Sequence, residues 1–330
     1  MPDLAVLGLP IANPVIVGSG LLTDQERNIR RLIEKGAGAV VTKTIHPSPP
    51  TGLDERILRL PVGMLNSTTY SKRSVNHWLG VLRSFADDGL PVIASVHADT
   101  PAELAALAAD VEATGCRALE LGISCLNEED GLDDDNPDRV YAYTAETRGR
   151  TSLPIAVKLA IGEGLHDRVR AAIAGGADAV TLSDTIAGAA VSPETGTLEL
   201  GGVFGYSGAG LKPLVLAAIW QLRRRGFDLP ILASGGVGSG RDVADYLAVG
   251  ANAAQVYTAL HTDMYDTLRR ILAETRDLVG PGGRAADPTA TGQAPADATA
   301  TGQVPADATA RGQAPADPAS PEPAPQGATA

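Results

Sequence analysis

The stretch from Ala118 to Asn127, ALELGISCLN, joins an apolar run to side chains that could do chemistry. The apolar first part is typical of a buried strand. The stretch then ends in a hydroxyl, a thiol and a carboxamide, from Ser124, Cys125 and Asn127. Ligands of parallel α/β folds bind at the carboxyl ends of strands, so Cys125 is a candidate for catalysis. The alternative is an inert cysteine that packs as a small hydrophobic residue.

Two later loops have the composition of a phosphate site. In ILASGGVGSGRD, Gly235 and Gly236 end a predicted strand and Ser239 precedes a helix. In AAQVYTAL, the next strand ends at Tyr257 and Thr258. Bare backbone N–H groups beside a helix N-terminus bind anions, and barrels hold phosphate at this position. Tight turns that require glycine would explain the same residues.

Three lysines lie at predicted strand ends or in a neighbouring loop: Lys43, Lys158 and Lys212. Lys43 and Lys158 interrupt apolar strands, which is unusual for surface lysines. A cation in a water-poor site needs an anionic or electron-rich partner. A flavin offers both, through its phosphate and through the N1/C2 edge of its ring.

A repeated pattern of a short apolar strand followed by an amphipathic helix predicts a (β/α)8 barrel, preceded by an N-terminal hairpin within Asp3–Val15. The predicted strands are Pro14–Gly18, Ala39–Thr44, Val92–Val96, Ala118–Ser124, Ile155–Leu159, Ala179–Asp184, Ile231–Gly235 and Ala253–Thr258. The predicted helices are Asp24–Lys35, Lys72–Asp87, Pro101–Thr114, Asp138–Arg148, Leu165–Ala174, Lys212–Arg225, Gly240–Val249 and Thr262–Val279. Two long connections, Pro47–Ser71 and Ile186–Leu211, are predicted as loops over the active face.

Composition excludes several classes of protein. A net charge of -12 argues against binding nucleic acid. The sequence contains neither a membrane-length apolar run nor a signal peptide, so the prediction is a cytoplasmic protein without membrane contact. Its two cysteines, Cys116 and Cys125, form no iron–sulfur motif, and Cys116 is predicted to be structural. His46 and His77 lack partners at metal-ligand spacing, so no metal is predicted.

The chain is predicted to have two parts, a barrel over residues 1–280 and a disordered tail over 281–330. Three copies of a ten-residue unit rich in Ala, Pro, Thr and Gly run from Ala286 to Pro315. Such a composition buries too little apolar surface to offset the entropy of ordering. The acidic run 128–135 is predicted to be a solvated lid.

The ordered motifs NPVIVGSG, VVTKT, GMLNS, ELGISCLN, AVKL, TLSDT, GYSGAGLKP, SGGV and QVYTA resemble those of the dihydroorotate dehydrogenase family. The resemblance spans residues 4–275 and implies a barrel that binds FMN at its carboxyl face. The FMN contacts that it implies are Gly18, Ser19, Gly20, Lys43, Thr44, Lys158, Gly208, Gly235, Gly236, Tyr257 and Thr258. Tyr257 stands where many members have glycine, but the contact there is largely through the backbone.

The same resemblance implies catalytic roles for Cys125 and Lys43, with Cys125 as the acid/base of the soluble class. The substrate contacts that it implies are Asn66, Thr69, Tyr70, Asn127, Asp184 and Thr185. The sequence departs from the family pattern at two amide positions, which are Gly122 and Asp184. Asp184 favours a substrate with an extra N–H group or a positive charge, unless its carboxyl is protonated or turned to the neighbouring backbone. His97, at the end of the third barrel strand, is expected to be a satisfied loop histidine rather than a ligand contact.

The predicted function is an FMN-dependent oxidoreductase that acts on a C–C bond of a small cyclic amide or acid, with dihydroorotate/orotate as the family's substrate. The alternatives are another pyrimidine or specialised metabolite, a flavin-binding barrel with a decayed substrate pocket, and a flavin-free phosphate-binding lyase or isomerase. Electrons would pass to a soluble acceptor or to a separate reductase subunit. By analogy with similar barrels, the chain is predicted to form a homodimer.

Overall fold

The computed structural model describes residues 4–49, 51, 54–127 and 136–279. The predicted disordered tail (281–330) and the predicted acidic lid (128–135) lie outside these residues. The strands are β1 (Ala5–Val6), β2 (Leu9–Pro10), β3 (Val15–Val17), β4 (Ala39–Val41), β5 (Ile57–Leu60), β6 (Gly63–Asn66), β7 (Val92–Val96), β8 (Leu119–Gly122), β9 (Ile155–Leu159), β10 (Ala179–Leu182), β11 (Ile186–Gly188), β12 (Phe204–Ser207), β13 (Ile231–Ser234) and β14 (Ala253–Val256).

The helices are α1 (Glu26–Glu34), α2 (Val75–Asp87), α3 (Pro101–Glu112), α4 (Pro137–Arg148), α5 (Leu165–Ala174), α6 (Lys212–Arg224), α7 (Gly240–Ala248) and α8 (Met264–Val279). None of the helices in the described part of the chain is long and apolar enough to cross a membrane. Helix α2 begins three residues later than predicted because the side chain of Ser74 caps it by accepting a hydrogen bond from His77 N. Helix α8 begins at Met264 because residues Thr258–His261 form a 3-10 turn.

Eight strands form a closed parallel barrel in the order β3, β4, β7, β8, β9, β10, β13 and β14, with β14 paired to β3. The prediction of a (β/α)8 barrel is therefore confirmed. Most of the strands end one to three residues before their predicted carboxyl ends. The residues between the observed and the predicted strand ends include Gly18, Lys43 and Asp184, which lie beyond the paired residues of their strands and line a cavity.

The polarity of the barrel interior changes along the strands. Alternate residues of a strand point inward. At the amino end, the inward positions carry small or aliphatic side chains, including Ala118, Ala156 and Ala253, all fully buried. Two residues further along β8, β9 and β14 stand Glu120, Lys158 and Gln255. Polar side chains are therefore confined to the carboxyl end, where barrel enzymes have their sites.

The N-terminal hairpin closes the apolar end of the barrel. Strands β1 and β2 pair antiparallel through a turn in which Leu7 and Gly8 both have positive φ. Val6, Leu9 and Ile11 are buried in one cluster with the interior residues of the barrel's amino end. The predicted hairpin is present, and the cluster shows that it covers the end opposite the polar cavity.

The two long connections, predicted as loops, instead build a second sheet. Strands β5 and β6, from the connection over Pro47–Ser71, join β11 and β12, from the connection over Ile186–Leu211. They form an antiparallel sheet in the order β11, β12, β6, β5. This lid sheet, residues 57–66, 186–188 and 204–207, contributes Asn66, Ser207 and other residues to the cavity at the carboxyl face.

Candidate active site

One cavity of about 440 Å³ at the carboxyl end of the barrel is lined by Cys125 and by every FMN and substrate contact that the family resemblance implies. The volume lies within the usual range for a cofactor or substrate pocket. The predicted residues that line it are Gly18, Ser19, Gly20, Lys43, Thr44, Asn66, Thr69, Tyr70, Cys125, Asn127, Lys158, Asp184, Thr185, Gly208, Gly235, Gly236, Tyr257 and Thr258. The roles assigned to them remain predictions.

One end of the cavity is a cradle of bare backbone. Gly235 and Gly236 have φ values of 129° and 73°, where side chains are disfavoured. A Cβ at Gly236 would lie 2.9 Å from Lys212 Cβ and 3.0 Å from Gly208 O. Helix α7 begins just beyond, with the side chain of Ser239 as its cap. Backbone N–H groups and a helix N-terminus together can hold an anion such as phosphate.

Tyr257 packs against the first loop of the cavity. A Cβ at Gly20 would lie only 2.0 Å from Tyr257 Cζ, so the ring fills the space beside the Gly20 backbone. The phenol oxygen accepts a hydrogen bond from Leu22 N at 3.4 Å. Burial raises the pKa of Tyr257 to about 12, so the phenol stays neutral. The side chain supports the Gly18–Gly20 loop.

Two lysines project into the middle of the cavity. Lys43 is buried, and its Nζ lies 3.5 Å from Thr68 Oγ1. Burial lowers the pKa of Lys43, although the charges of Glu55 and Cys125 partly offset that effect. Burial is the largest single effect on Lys158 and lowers its pKa, but the Asp184 carboxylate 3.4 Å away, Glu120 and Cys125 together outweigh burial and raise the Lys158 pKa. Both cations are therefore held within reach of a ligand.

Lys212, the third lysine of the predicted cluster, lies outside the cavity. Its ammonium group pairs with Asp242 at 2.5 Å and with Asp245 at 2.8 Å, both on α7. The sequence predicted an anionic partner for this lysine but could not show that the protein itself supplies it. The contact ties α6 to α7 beneath the glycine cradle.

A buried carboxylate lies below the lysines. Glu120 is fully buried, and its Oε2 accepts hydrogen bonds from Thr181 Oγ1 at 2.8 Å and Gln255 Nε2 at 2.7 Å. Glu120 also contributes to the raised pKa of Lys158. Sequence reasoning missed Glu120 and Gln255 as supports of the site. The sequence feature that could have identified them is a polar residue at an inward position of an otherwise apolar strand.

The two cysteines have different environments. Cys116 is buried, its Sγ lies 3.5 Å from Ala118 O, and burial raises its pKa. Cys125 is only half-buried and lines the cavity. Cys125 is close enough to Lys43 and Lys158 to interact electrostatically with both. Nearby cations favour the thiolate, which is the reactive form of cysteine.

Two asparagines connect the lid sheet to the loop after β8. Asn127 Nδ2 donates to Thr68 O at 2.7 Å, and its Oδ1 accepts from Gly205 N at 2.9 Å. Asn66 Nδ2 donates to Gly205 O at 3.2 Å, and its Oδ1 accepts from Asn127 Nδ2 at 3.3 Å. Both amides line the cavity but already bind the chain. This shared network was not visible in the sequence.

Glu55, which the sequence patterns did not single out, organises the loop after β6. Its Oε1 accepts hydrogen bonds from Thr69 N and Thr69 Oγ1 at 3.0 and 3.2 Å, and it pairs with Lys72 at 3.2 Å. Burial would raise the pKa of Glu55, but these contacts outweigh burial and lower it. Glu55 is therefore an ionised carboxylate beside the cavity.

A stack of aromatic rings lies behind Tyr70. The ring of Tyr70 stacks on His46 and His97, at centroid distances of 4.5 and 5.1 Å. His97 is buried, its Nδ1 donates to Gly122 O at 2.9 Å, and burial lowers its pKa to about 4. His97 is thus a satisfied, neutral histidine, as expected. No cluster of metal-ligating side chains occurs within the described residues.

The hairpin of β5 and β6 carries another residue that sequence reasoning missed. Arg59 lines the cavity and donates from its guanidinium to Thr262 Oγ1 at 3.1 Å and to His261 O. These bonds connect the lid sheet to the turn after β14. The sequence feature that could have indicated this hairpin is the Pro61-Val62 pair between two short apolar-rich runs, ILRL and GMLN.

The family model for dihydroorotate dehydrogenase matches residues 2–279 of this chain. The chain belongs to the dihydroorotate dehydrogenase family. This confirms the resemblance seen in the motifs and supports an oxidoreductase of the dihydroorotate dehydrogenase type.

Curated dihydroorotate dehydrogenases cover most of the barrel. The chain is 32% identical over 280 residues to the "dihydroorotate dehydrogenase B (NAD(+)), catalytic subunit" of Pyrococcus horikoshii, covering 82% of this chain and 90% of that one. The protein of the same name from Methanosarcina acetivorans is 34% identical over 268 residues, covering 79% and 86%. A crystal structure of the Eimeria tenella dihydroorotate dehydrogenase in complex with ferulenol matches with a TM-score of 0.71 at 20% identity, over 84% and 85% of the two chains. That likeness shows the shared fold.

Proposed function

We propose that the chain is an FMN-dependent oxidoreductase that transfers a hydride between the flavin and a CH–CH bond of a small cyclic amide, with Cys125 as the acid/base. The observation that carries the proposal is the convergence, in one cavity, of a glycine cradle, two lysines and a thiol at the end of β8. Membership of the dihydroorotate dehydrogenase family supports the same reaction type.

The residues present fit a flavin mononucleotide. Gly235 and Gly236 leave space that a side chain would fill, next to the N-terminus of α7, and would hold the phosphate with the backbone of Tyr257 and Thr258. Gly208 would contact the ribityl chain. The loop Gly18–Gly20, with Lys43, Thr44 and Lys158, would surround the ring. The cationic Lys158 would complement a ring edge that becomes anionic on reduction.

The chain's own contribution to the chemistry is proton transfer and positioning. A thiolate at Cys125, favoured by Lys43 and Lys158, would take a proton from the substrate carbon next to a carbonyl. Bound FMN supplies the hydride acceptor for the neighbouring carbon, so that a C=C bond forms and two electrons leave the substrate. Thr69, Tyr70 and Thr185 would contact the substrate from the lid side.

The electrons must then leave the flavin. The relatives named as catalytic subunits of an NAD(+)-linked enzyme support a separate reductase subunit as the partner of this chain. A soluble acceptor is the alternative. The cytoplasmic location, the homodimer and the disordered tail likewise remain predictions from the sequence.

Flavin binding tests the proposal without turnover. Titration of flavin-depleted protein should quench the fluorescence of one equivalent of FMN per chain. Riboflavin, which lacks the phosphate, should bind at least ~10-fold more weakly because the glycine cradle then has no anion to hold. A protein that quenches neither compound would contradict the proposal and favour a flavin-free phosphate-binding barrel.

A further inference from the structure

We infer that the substrate side of this cavity binds an uncharged cyclic amide, whose ring N–H donates a hydrogen bond to Asp184. It is not suited to a substrate that carries a carboxylate. The inference rests on the proposed flavin chemistry and specifies its substrate class. The observation behind it is that the chain already supplies carboxylate partners for cations around the substrate position.

The first such pair joins Lys158 and Asp184. Lys158 Nζ lies 3.4 Å from Asp184 Oδ1, and both side chains line the cavity. The same Oδ1 accepts a hydrogen bond from Thr185 N at 2.8 Å, so Asp184 is partly turned to the neighbouring backbone. Oδ2 receives no hydrogen bond from the residues that the structure describes. Because Asp184 is a third exposed, this oxygen can accept an N–H from a ligand.

The second pair joins Lys72 and Glu55. Lys72 is the cation nearest Thr69 that could pair with a substrate carboxylate, but its Nζ lies 3.2 Å from Glu55 Oε1 and 3.0 Å from Thr69 Oγ1. Glu55 is held ionised by these contacts. A carboxylate ligand would have to compete with Glu55 for Lys72 and would meet the charge of Glu55 at close range.

Lys43 is a third cation beside the substrate position. The thiolate that the proposed mechanism requires at Cys125 is close enough to offset the positive charge of Lys43. The charges around the cavity balance once Cys125 is a thiolate: the four cations are Lys43, Arg59, Lys72 and Lys158, and the four negative charges are Glu55, Glu120, Asp184 and Cys125. An uncharged ring preserves this balance, whereas an anionic ring adds a negative charge that lacks a partner.

The hydrogen-bonding groups around the substrate position also favour an uncharged ring. Asn66 and Asn127 hold the lid sheet to the loop after β8, so their amides are engaged in bonds within the chain. Asp184 is an acceptor when ionised and cannot replace an amide donor. The chemistry that fits is a reduced six-membered ring with alternating N–H and carbonyl groups and without an exocyclic carboxylate.

Anaerobic reduction of the bound flavin tests this inference. We expect 5,6-dihydrouracil to bleach the flavin of the wild-type protein at least ~10-fold faster, per unit concentration, than dihydroorotate. In Asp184→Asn, at unchanged FMN content, the ratio of the dihydrouracil rate to the dihydroorotate rate should fall by ~10-fold or drop below one. The control Asp110→Asn removes a charge from an exposed position on α3 and should leave the ratio unchanged.

Product binding provides a readout without turnover. Uracil should bind the oxidised wild-type holoprotein at least ~10-fold more tightly than orotate, measured by calorimetry, and Asp184→Asn should close this gap. If the flavin is bound but dihydroorotate is the faster substrate, if neither compound reduces it, or if Asp184→Asn leaves the preference unchanged, this inference is overturned while flavin binding stands. A protein that binds no FMN overturns the proposed function as well.

Discussion

The contact between Gly20 and Tyr257 leads to a sharp prediction about the cavity wall. In Gly20→Ala, the new Cβ would lie 2.0 Å from Tyr257 Cζ, whereas ordinary contact begins at about 3.4 Å. The ring would have to move by about 1.4 Å. It is held by the hydrogen bond from Leu22 N and by edge contact with His261 at a centroid distance of 5.0 Å. Gly20 has an extended backbone that alanine can adopt, so the cost comes from the clash alone.

Overpacking of this kind costs about 1–3 kcal/mol. We expect Gly20→Ala to lower the free energy of unfolding by that amount and to weaken FMN binding, because the loop lines the cavity. In a Tyr257→Ala background, the same substitution should cost almost nothing. The double-mutant cycle should therefore give a coupling energy of about 1–3 kcal/mol.

The measurements are urea unfolding followed by circular dichroism, and fluorescence titration with FMN. Gly80→Ala is the matched control, because a Cβ there meets nothing within 4 Å and the residue lies inside α2. It should be neutral or slightly stabilising, since alanine favours helix. Equal stability of Gly20→Ala and wild type, or an equal cost in both backgrounds, would refute the packing argument.

Three further predictions concern the lid, a buried histidine and the cysteines. Gly208→Ala should lower both the FMN affinity and the free energy of unfolding, because φ at Gly208 is +109° and the new Cβ would lie 2.6 Å from Gly63 Cα. The same titration and unfolding experiments measure both quantities, and unchanged values would contradict the tight approach of the lid sheet. His97 has an ordinary pKa of 6.5 and a folded pKa of about 4, so below pH 6.5 the unfolded chain binds a proton that the folded chain excludes. The free energy of unfolding should therefore fall as pH drops from 6.5 to 4, by up to ~3 kcal/mol, and this part of the slope should be absent in His97→Gln. Iodoacetamide should label Cys125 and spare Cys116 in native protein, as mapped by mass spectrometry; the reverse order would contradict their placement.

The barrel and the members of its site were accessible from sequence because both depend on local patterns. Alternation within a strand determines which residues point inward, so polar residues at strand ends, such as Lys43 and Lys158, had to meet at one face. A cysteine directly after an apolar strand followed the same rule. This explains why all the FMN and substrate contacts that the resemblance implies line one cavity, whereas Lys212, at the start of α6, lies outside it.

Contacts between distant segments were not accessible. The lid sheet pairs strands from two connections more than 100 residues apart, and β-pairing of that kind depends on tertiary context. The partners of Lys212 and Lys72 were likewise invisible, because a sequence shows that a cation needs a counter-charge without showing which carboxylate supplies it. Glu120 was missed because it was counted as part of a nearly apolar strand.

The most direct test of flavin chemistry at Cys125 is single-turnover reduction of the FMN-loaded protein by a reduced cyclic amide, followed at the flavin absorbance maximum. We expect rapid bleaching in wild type and a rate at least ~10²-fold lower in Cys125→Ala, with the same FMN content in both proteins. A flavin that is reduced as fast in Cys125→Ala as in wild type, or a protein that takes up no FMN, would contradict the central claim that this cavity holds a flavin against the thiol of Cys125.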